Sequence, residues 1–422
     1  MNRKMMIRNI KSNVINTYRR KFSYSITNNN SSNSITYSWG IGTQGQLGHG
    51  NFELTQGFFE SNYVQIEPKK LSHGKKYSKI AVGEGFTLGL CSTTNNLYGW
   101  GQGQVVGIKE HEKSGTLTAE PRLIQMPSND IKIVDVVAGS RHAAAVDTNG
   151  LVYTWGYGGS WMSGGGQLGH NNSNSYDKPE LIKALQEYDV KAKSVSCGAS
   201  HTLILTEDNE VLSFGVGEFG RLGLGSSNDV LIPTPIDTLA DLEITQVVAS
   251  GNHSMVLTSS GSIYSWGKNN MGQLGHSDSY VEVHSMEELP RLIESDVLSQ
   301  FKIKSIAAAK GRSAALTECG QLIIWGNKLS HVPSIVEKSF FDGLKIVMIA
   351  LGGQAGKSVT AVITEDGSLW TFGDSSSYIL GRKASVTGKN PEPTRISTFK
   401  NKKVSDVFCG TGKNNLNDII SQ

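Results

Sequence analysis

Three histidines, His142, His201 and His253, each close a short glycine-containing turn and each open a run of small or apolar residues. Imidazoles at matching places in successive segments could converge on a metal ion. Against that reading, the equivalent places hold Phe86 and Arg312, and no carboxylate or cysteine accompanies the histidines at ligand spacing. The expectation is structural: each ring hydrogen-bonds the backbone of its own unit. Two glycine runs, Gly40-Ile-Gly42-Thr-Gln-Gly45 and Gly215-Val-Gly217-Glu-Phe-Gly220, match the pattern that cradles a dinucleotide pyrophosphate. That chemistry requires a following helix whose N-terminus meets the phosphates, and here a Leu-Gly turn follows instead. There is no nucleophile elbow, P-loop or paired-carboxylate motif. The four cysteines, Cys91, Cys197, Cys319 and Cys409, form no CxxC pair, and Cys197 and Cys409 read as small buried packing residues. The residue types thus point to no catalytic group, no cofactor and no metal, and to a protein that is not an enzyme.

The elements that carry these residues recur. Seven times an aromatic–glycine pair closes an apolar run: Trp39-Gly40, Trp100-Gly101, Trp155-Gly156, Phe214-Gly215, Trp266-Gly267, Trp325-Gly326 and Phe372-Gly373. Successive glycines lie 61, 55, 59, 52, 59 and 47 residues apart, a period that marks a repeat architecture. Before most pairs stand a small-residue run such as Ala143-Ala-Ala-Val146 and a polar turn such as Asp147-Thr-Asn-Gly150. Strand, tight turn and strand at this spacing predict hairpins. Repeats of this length built from short strands suit four-stranded blades set radially around a channel. The first aromatic–glycine strand precedes any first strand of its own, and the last element, Val404 to Gly412, lacks an aromatic–glycine strand after it. The expected fold is therefore all-β, a seven-bladed β-propeller closed by pairing of its N- and C-terminal segments. Such closure removes two open sheet edges.

The fullest signatures are Trp39-Gly-Ile-Gly-Thr-Gln-Gly-Gln-Leu-Gly-His-Gly50, Trp266-Gly-Lys-Asn-Asn-Met-Gly-Gln-Leu-Gly-His276 and Phe214-Gly-Val-Gly-Glu-Phe-Gly-Arg-Leu-Gly-Leu-Gly225. This pattern resembles the regulator-of-chromosome-condensation (RCC1-like) repeat, and the resemblance implies a seven-bladed propeller over roughly residues 34–417. No Trp-Asp dipeptide speaks for the WD40 class. The second, sixth and seventh signatures are eroded. In the intact ones the aromatic is expected between blades, and Leu47, Leu168 and Leu274 are expected to anchor the returning loop.

Charge is unevenly placed. Residues 1–22 carry seven Lys or Arg and no acid; the first acid in the chain is Glu53. Removing those seven charges from the overall +3 leaves −4, so the repeat region has no cationic bias toward nucleic acid. An acid-free leader with Ile7, Ile10, Val14 and Tyr18 on one helical face resembles a mitochondrial presequence. The expected organisation is a presequence at 1–22, a disordered polar linker at 23–33, the propeller at 34–417 and a tail at 418–422. No apolar stretch reaches the ~18 residues of a membrane span.

One signature breaks the periodicity. From the aromatic to the Gly of Gly-Gln-Leu-Gly the spacing is 6 in the first and fifth copies and 11 in the third. The insertion reads Tyr157-Gly-Gly-Ser160-Trp161-Met162-Ser163-Gly-Gly-Gly166, and Trp161 is the one tryptophan outside the repeated strands. A large aromatic beside Met, flanked by glycines, is a candidate loop-borne anchor for a protein partner. Tyr157, Ser160, Trp161, Met162 and Ser163 are the candidate contact residues. The alternative is that Trp161 folds back over a neighbouring blade. A polar excursion at 107–130 is a second candidate. With the leader pointing to mitochondria and their matrix, the resemblance implies an interaction scaffold there, in organellar ribosome or RNA handling or respiratory-complex biogenesis. It also implies an alternative, a guanine-nucleotide exchange factor for a GTPase. The nuclear relative with that activity carries a wedge after the same signature, although its composition differs. Direct RNA binding is the weaker third reading, given the −4 charge.

Overall fold

A computed structural model describes residues 35–42, 44–50, 64–102, 105–106, 117–160, 162, 164–276, 286–327, 330–354, 357–374, 379–383, 389–410 and 417–421. The expected presequence and linker fall outside them.

Among the described residues the regular elements are almost all strands. β1 (Thr36–Ile41) and β2 (Val64–Lys70) come first. They precede a sheet of β3 (Tyr77–Val82), β4 (Phe86–Cys91), β5 (Leu97–Gln102) and β6 (Leu117–Leu123). The next sheet holds β7 (Ile133–Ala138), β8 (His142–Asp147), β9 (Val152–Gly156) and, after a two-strand hairpin of β10 (Gly159–Ser160) and β11 (Gly164–Gly165), β12 (Tyr176–Leu181). Then come β13 (Ala192–Cys197), β14 (His201–Thr206), β15 (Val211–Gly215) and β16 (Val230–Pro235). They are followed by β17 (Ile244–Ser250), β18 (His253–Thr258), β19 (Ile263–Lys268) and β20 (Met286–Leu292). Two more sheets hold β21 (Ile303–Ala309), β22 (Arg312–Thr317), β23 (Leu322–Gly326) and β24 (Ser330–Val336), then β25 (Ile346–Gln354), β26 (Lys357–Thr364), β27 (Leu369–Asp374) and β28 (Lys389–Arg395). A further four-stranded sheet unites both ends of the chain in the order β2-β1-β30-β29, with β29 at Asp406–Cys409 and β30 at Asn417–Ser421. The antiparallel register there runs from Thr36 opposite Ser421 to Gly40 opposite Asn417. The residues expected as a tail therefore supply a strand instead, because the unpaired edges of β29 and β1 offer it hydrogen bonds on both sides.

First strands touch in series, β3 on β7, β7 on β13, and so on through β25 on β29 and β29 on β3. The architecture is an all-β propeller. Second strands are the most buried: all six residues of β4, β8, β14, β18 and β22 are covered. A strand buried on both faces favours small or apolar residues, as in the Ala143-Ala-Ala-Val146 run, and its buried polar ends must find hydrogen bonds. Its turn is set by Asp147, whose Oδ1 accepts from the backbone N–H of Asn149 (2.8 Å) and Leu151 (2.9 Å).

Four tryptophans join neighbouring sheets through the returning loop of the preceding signature. Trp266, Trp325, Trp155 and Trp39 have at most 1% exposure. Their indole N–H groups donate to the carbonyls of Arg221 (3.0 Å), Gln273 (2.9 Å), Val105 (2.9 Å) and Ile379 (2.9 Å) of the preceding loop. The same loops are held from within: Ser38, Thr154, Ser213, Ser265 and Thr371 donate to the carbonyls of Leu47, Leu168, Leu222, Leu274 and Leu380. Leu47, Leu168 and Leu274 are buried as expected. Gly48 shows why the signature ends in glycine. Its φ is +73°, and a Cβ there would lie 2.9 Å from Nε1 of Trp100.

Candidate protein-contact face

Each second strand begins, and each third strand ends, at the same end of its sheet, as the pairing of His142 with Gly156 shows. The loops that follow the aromatic–glycine pairs therefore gather on one face, together with the turns before the second strands. The opposite face carries the tight turns such as Asp147–Gly150.

On the loop face the third signature is built out into the β10–β11 hairpin, with Gly159 opposite Gly165 and Ser160 opposite Gly164. Met162, in its tip, has 78% of its surface exposed. Tyr157 and Ser160 are half-buried at its base, and the Tyr157 ring lies under the guanidinium of Arg141, 3.9 Å from the ring centroid. The insertion therefore brings Tyr157, Ser160 and Met162 together. The candidates Trp161 and Ser163 lie outside the described residues. Of the 107–130 excursion, 107–116 lies outside them too, and Leu117–Leu123 forms the outer strand β6 rather than a free loop.

The hairpin is fixed by groups that the sequence did not announce. Asp229 Oδ2 accepts from the Gly165 N–H (2.9 Å) and Oδ1 from the Gly217 N–H (3.0 Å), tying the third signature's loop to the fourth's. Gly164 lies so close that a Cβ there would sit 2.5 Å from Asp229 Oδ2. At the far end, Gln167 Nε2 donates to the Tyr157 carbonyl (2.8 Å) and Ser175 Oγ accepts from the Gly158 N–H (3.2 Å). Beyond Gly217, Phe219 holds a left-handed backbone (φ 65°), unusual for a bulky residue. The Lys268 ammonium sits 3.9 Å from the centroid of its ring. Phe219 replaces the Gln44 and Met271 of sister signatures, a substitution visible in the sequence. Asp229, Arg141 and Lys268 carried no such signal.

Near the axis the turns before the second strands bond one to the next: Glu84 N–H to the Ser140 carbonyl, Ser140 N–H to that of Gly198, and Ala199 N–H to that of Gly251. The Lys310 ammonium, on the turn between β21 and β22, reaches the Glu84 carboxylate at 3.5 Å, an ion pair between sheets that are not neighbours.

The three histidines are fully buried and bridge sheets. Nε2 of His142, His201 and His253 meets the hydroxyl of Thr202 (3.0 Å), Ser254 (2.9 Å) and Ser313 (3.0 Å) respectively. The expected bond to the backbone of the same unit is thus corrected. The hydroxyl of the next sheet faces the ring, and it passes its own proton on to the carbonyl of Gln167, Arg221 or Gln273. Burial pushes His142 and His253 down to about 4, and His201 well below the ordinary 6.5, with Arg221 adding to the fall. Among the described residues no group of three His, Cys, Asp or Glu side chains is placed to hold a metal. Cys197 is buried, and burial pushes its thiol up to about 12. No described helix is long and apolar enough to cross a membrane.

Comparison with known proteins agrees with this geometry. The RCC1-like domain profile matches residues 26–331, and the regulator of chromosome condensation (RCC1) repeat profile matches 366–412. The E3 ubiquitin-protein ligase HERC2 of Homo sapiens is 33% identical over 295 residues, 69% of this chain but only 6% of that protein. The mitochondrial RCC1 domain-containing protein RUG3 of Arabidopsis thaliana is 32% identical over 291 residues, 68% of this chain and 60% of RUG3. The crystal structure of human WBSCR16 superposes with a TM-score of 0.75 at 23% identity, covering 92% of this chain and 98% of that one. A profile match over more than half the chain, joined to a loop-and-tryptophan linkage repeated from sheet to sheet, makes this protein a member of the RCC1-like domain family.

Proposed function

We propose that this chain is a mitochondrial interaction scaffold: a closed seven-bladed propeller that displays rigid loops from one face to a protein partner. The carrying observation is the third-signature hairpin, with Met162 exposed at a tip whose base is pinned by Asp229 and Gln167. Apolar side chains on ordered loops are where contact energy concentrates. The pairing of β1 with β30 supports closure. The acid-free basic leader and the likeness to RUG3 support the mitochondrion, with the matrix as its compartment. Organellar ribosome or RNA handling, or respiratory-complex biogenesis, is the process we assign.

Deleting residues 158–165 tests the reading. Capture of partners by the tagged full-length protein from mitochondria is expected to be lost while the melting temperature moves by only a few degrees. A large fall in melting temperature with capture intact would make the hairpin a packing element. The second reading, nucleotide exchange on a GTPase, draws on the hairpin's place directly after β9 in the third repeat. Under it, the purified propeller accelerates release of a fluorescent guanine nucleotide from a mitochondrial GTPase, and the deletion abolishes that acceleration.

A further inference from the structure

Resting on the loop face as the contact surface, we infer that its partner presents an acidic protein surface to Arg141 and Lys268, on either side of the hairpin. Contacts link the two cations into one patch. Arg141 covers the Tyr157 ring, Tyr157 leads into the hairpin, and the hairpin is bonded through Asp229 to Gly217. Two residues on, Phe219 stacks under Lys268.

The two cations differ from Arg221 and Lys310 on the same face. Arg221 is paired with Glu218 at 2.8 Å and Lys310 with Glu84 at 3.5 Å, so those charges are already answered. Among the described residues, Arg141 and Lys268 have only a ring beneath them and no carboxylate at ion-pair distance. A ring orients a cation and shields one side without neutralising it, leaving the charge directed outward. The left-handed backbone at Phe219 is a local cost, and it sets that ring under Lys268. The carboxylates beside the patch are already engaged. Asp229 is turned inward onto two backbone N–H groups, Glu218 is paired with Arg221, Glu287 with Arg291, and Glu288 accepts from the Ser227 hydroxyl.

A protein fits this patch better than a nucleic acid. The exposed Met162 of the same loop face adds an apolar contact beside the two cations, which a protein surface can use and a phosphate backbone cannot.

The test uses the full-length protein and three labelled probes: a short peptide alternating Glu and Leu, its Lys and Leu counterpart, and oligouridine. Fluorescence anisotropy should show binding of the Glu–Leu peptide, weakened about tenfold or more by the double variant Arg141→Glu/Lys268→Glu. It should be preserved by Arg141→Lys/Lys268→Arg and by Lys132→Glu on the opposite face. Retention of Glu–Leu binding by the protein lacking 158–165 supports this inference even if that deletion has refuted the hairpin. Equal binding by wild type and double charge-reversal variant would overturn it. So would the absence of Glu–Leu binding, or charge-reversal-sensitive binding of oligouridine alone.

Discussion

His253 sits between two sheets with no exposed surface, and its charge state is the property that matters. Unfolded, it and His142 take up a proton near 6.5; folded, burial holds them near 4. Between those values the unfolded chain binds more protons, so stability is complete above about pH 6.5 and falls as pH drops toward 4. Each ring contributes a loss on the order of 3 kcal/mol across that window. Phe86 already fills the equivalent place in an earlier repeat. His253→Phe should therefore lower stability at pH 7 by only about 1 kcal/mol, for the lost Ser313 bond, and flatten the acid limb of a melting-temperature profile. Identical limbs in variant and wild type would contradict the assignment. Gly48→Val places a branched side chain at φ +73° against the Trp100 indole and should cost roughly 2–5 kcal/mol in urea unfolding.

The strands and signature loops were largely readable from the sequence. Period and turn chemistry announced the hairpins, and the extra residues after Trp155 announced the insertion. Eroded signatures still work because the linkage uses backbone. The carbonyls of Val105 and Ile379 accept Trp155 and Trp39 as those of Arg221 and Gln273 accept Trp266 and Trp325. Any side chain supplies a carbonyl, so Gln can be lost without losing the bond. What was not readable joins residues of different repeats. Asp229 holds Gly165 from 64 positions away, and His142 meets Thr202 from 60. No local pattern encodes either partner. The tail expected at 418–422 contributes to a strand for the same reason: Asn417–Ser421 lacks the aromatic–glycine pattern and is a strand because β29 and β1 flank it.

At the scale of the molecule, the sheet built from both ends of the chain is the element on which the proposed closure depends. Removing residues 417–422 takes away the strand bonded to β1 on one side and β29 on the other. The melting temperature should fall by about 5 °C or more, as expected for the loss of a few kcal/mol in a chain of this size; an unchanged value would show that the ends are joined without it. The sheets also present two faces, of which the proposed function uses one. Loops, hairpin and unanswered cations lie on one face. On the other, Tyr188 follows the short helix α1 (Lys183–Glu187) with 72% of its surface exposed, close to the 78% of Met162. That match supplies the most direct measurement. A photo-crosslinking amino acid is placed at 162 or at 188 in the full-length protein inside mitochondria, and adducts are compared after irradiation. A specific adduct from position 162 and none from 188 is the predicted result. Adducts from 188 alone, or equally from both, would contradict a loop-face scaffold.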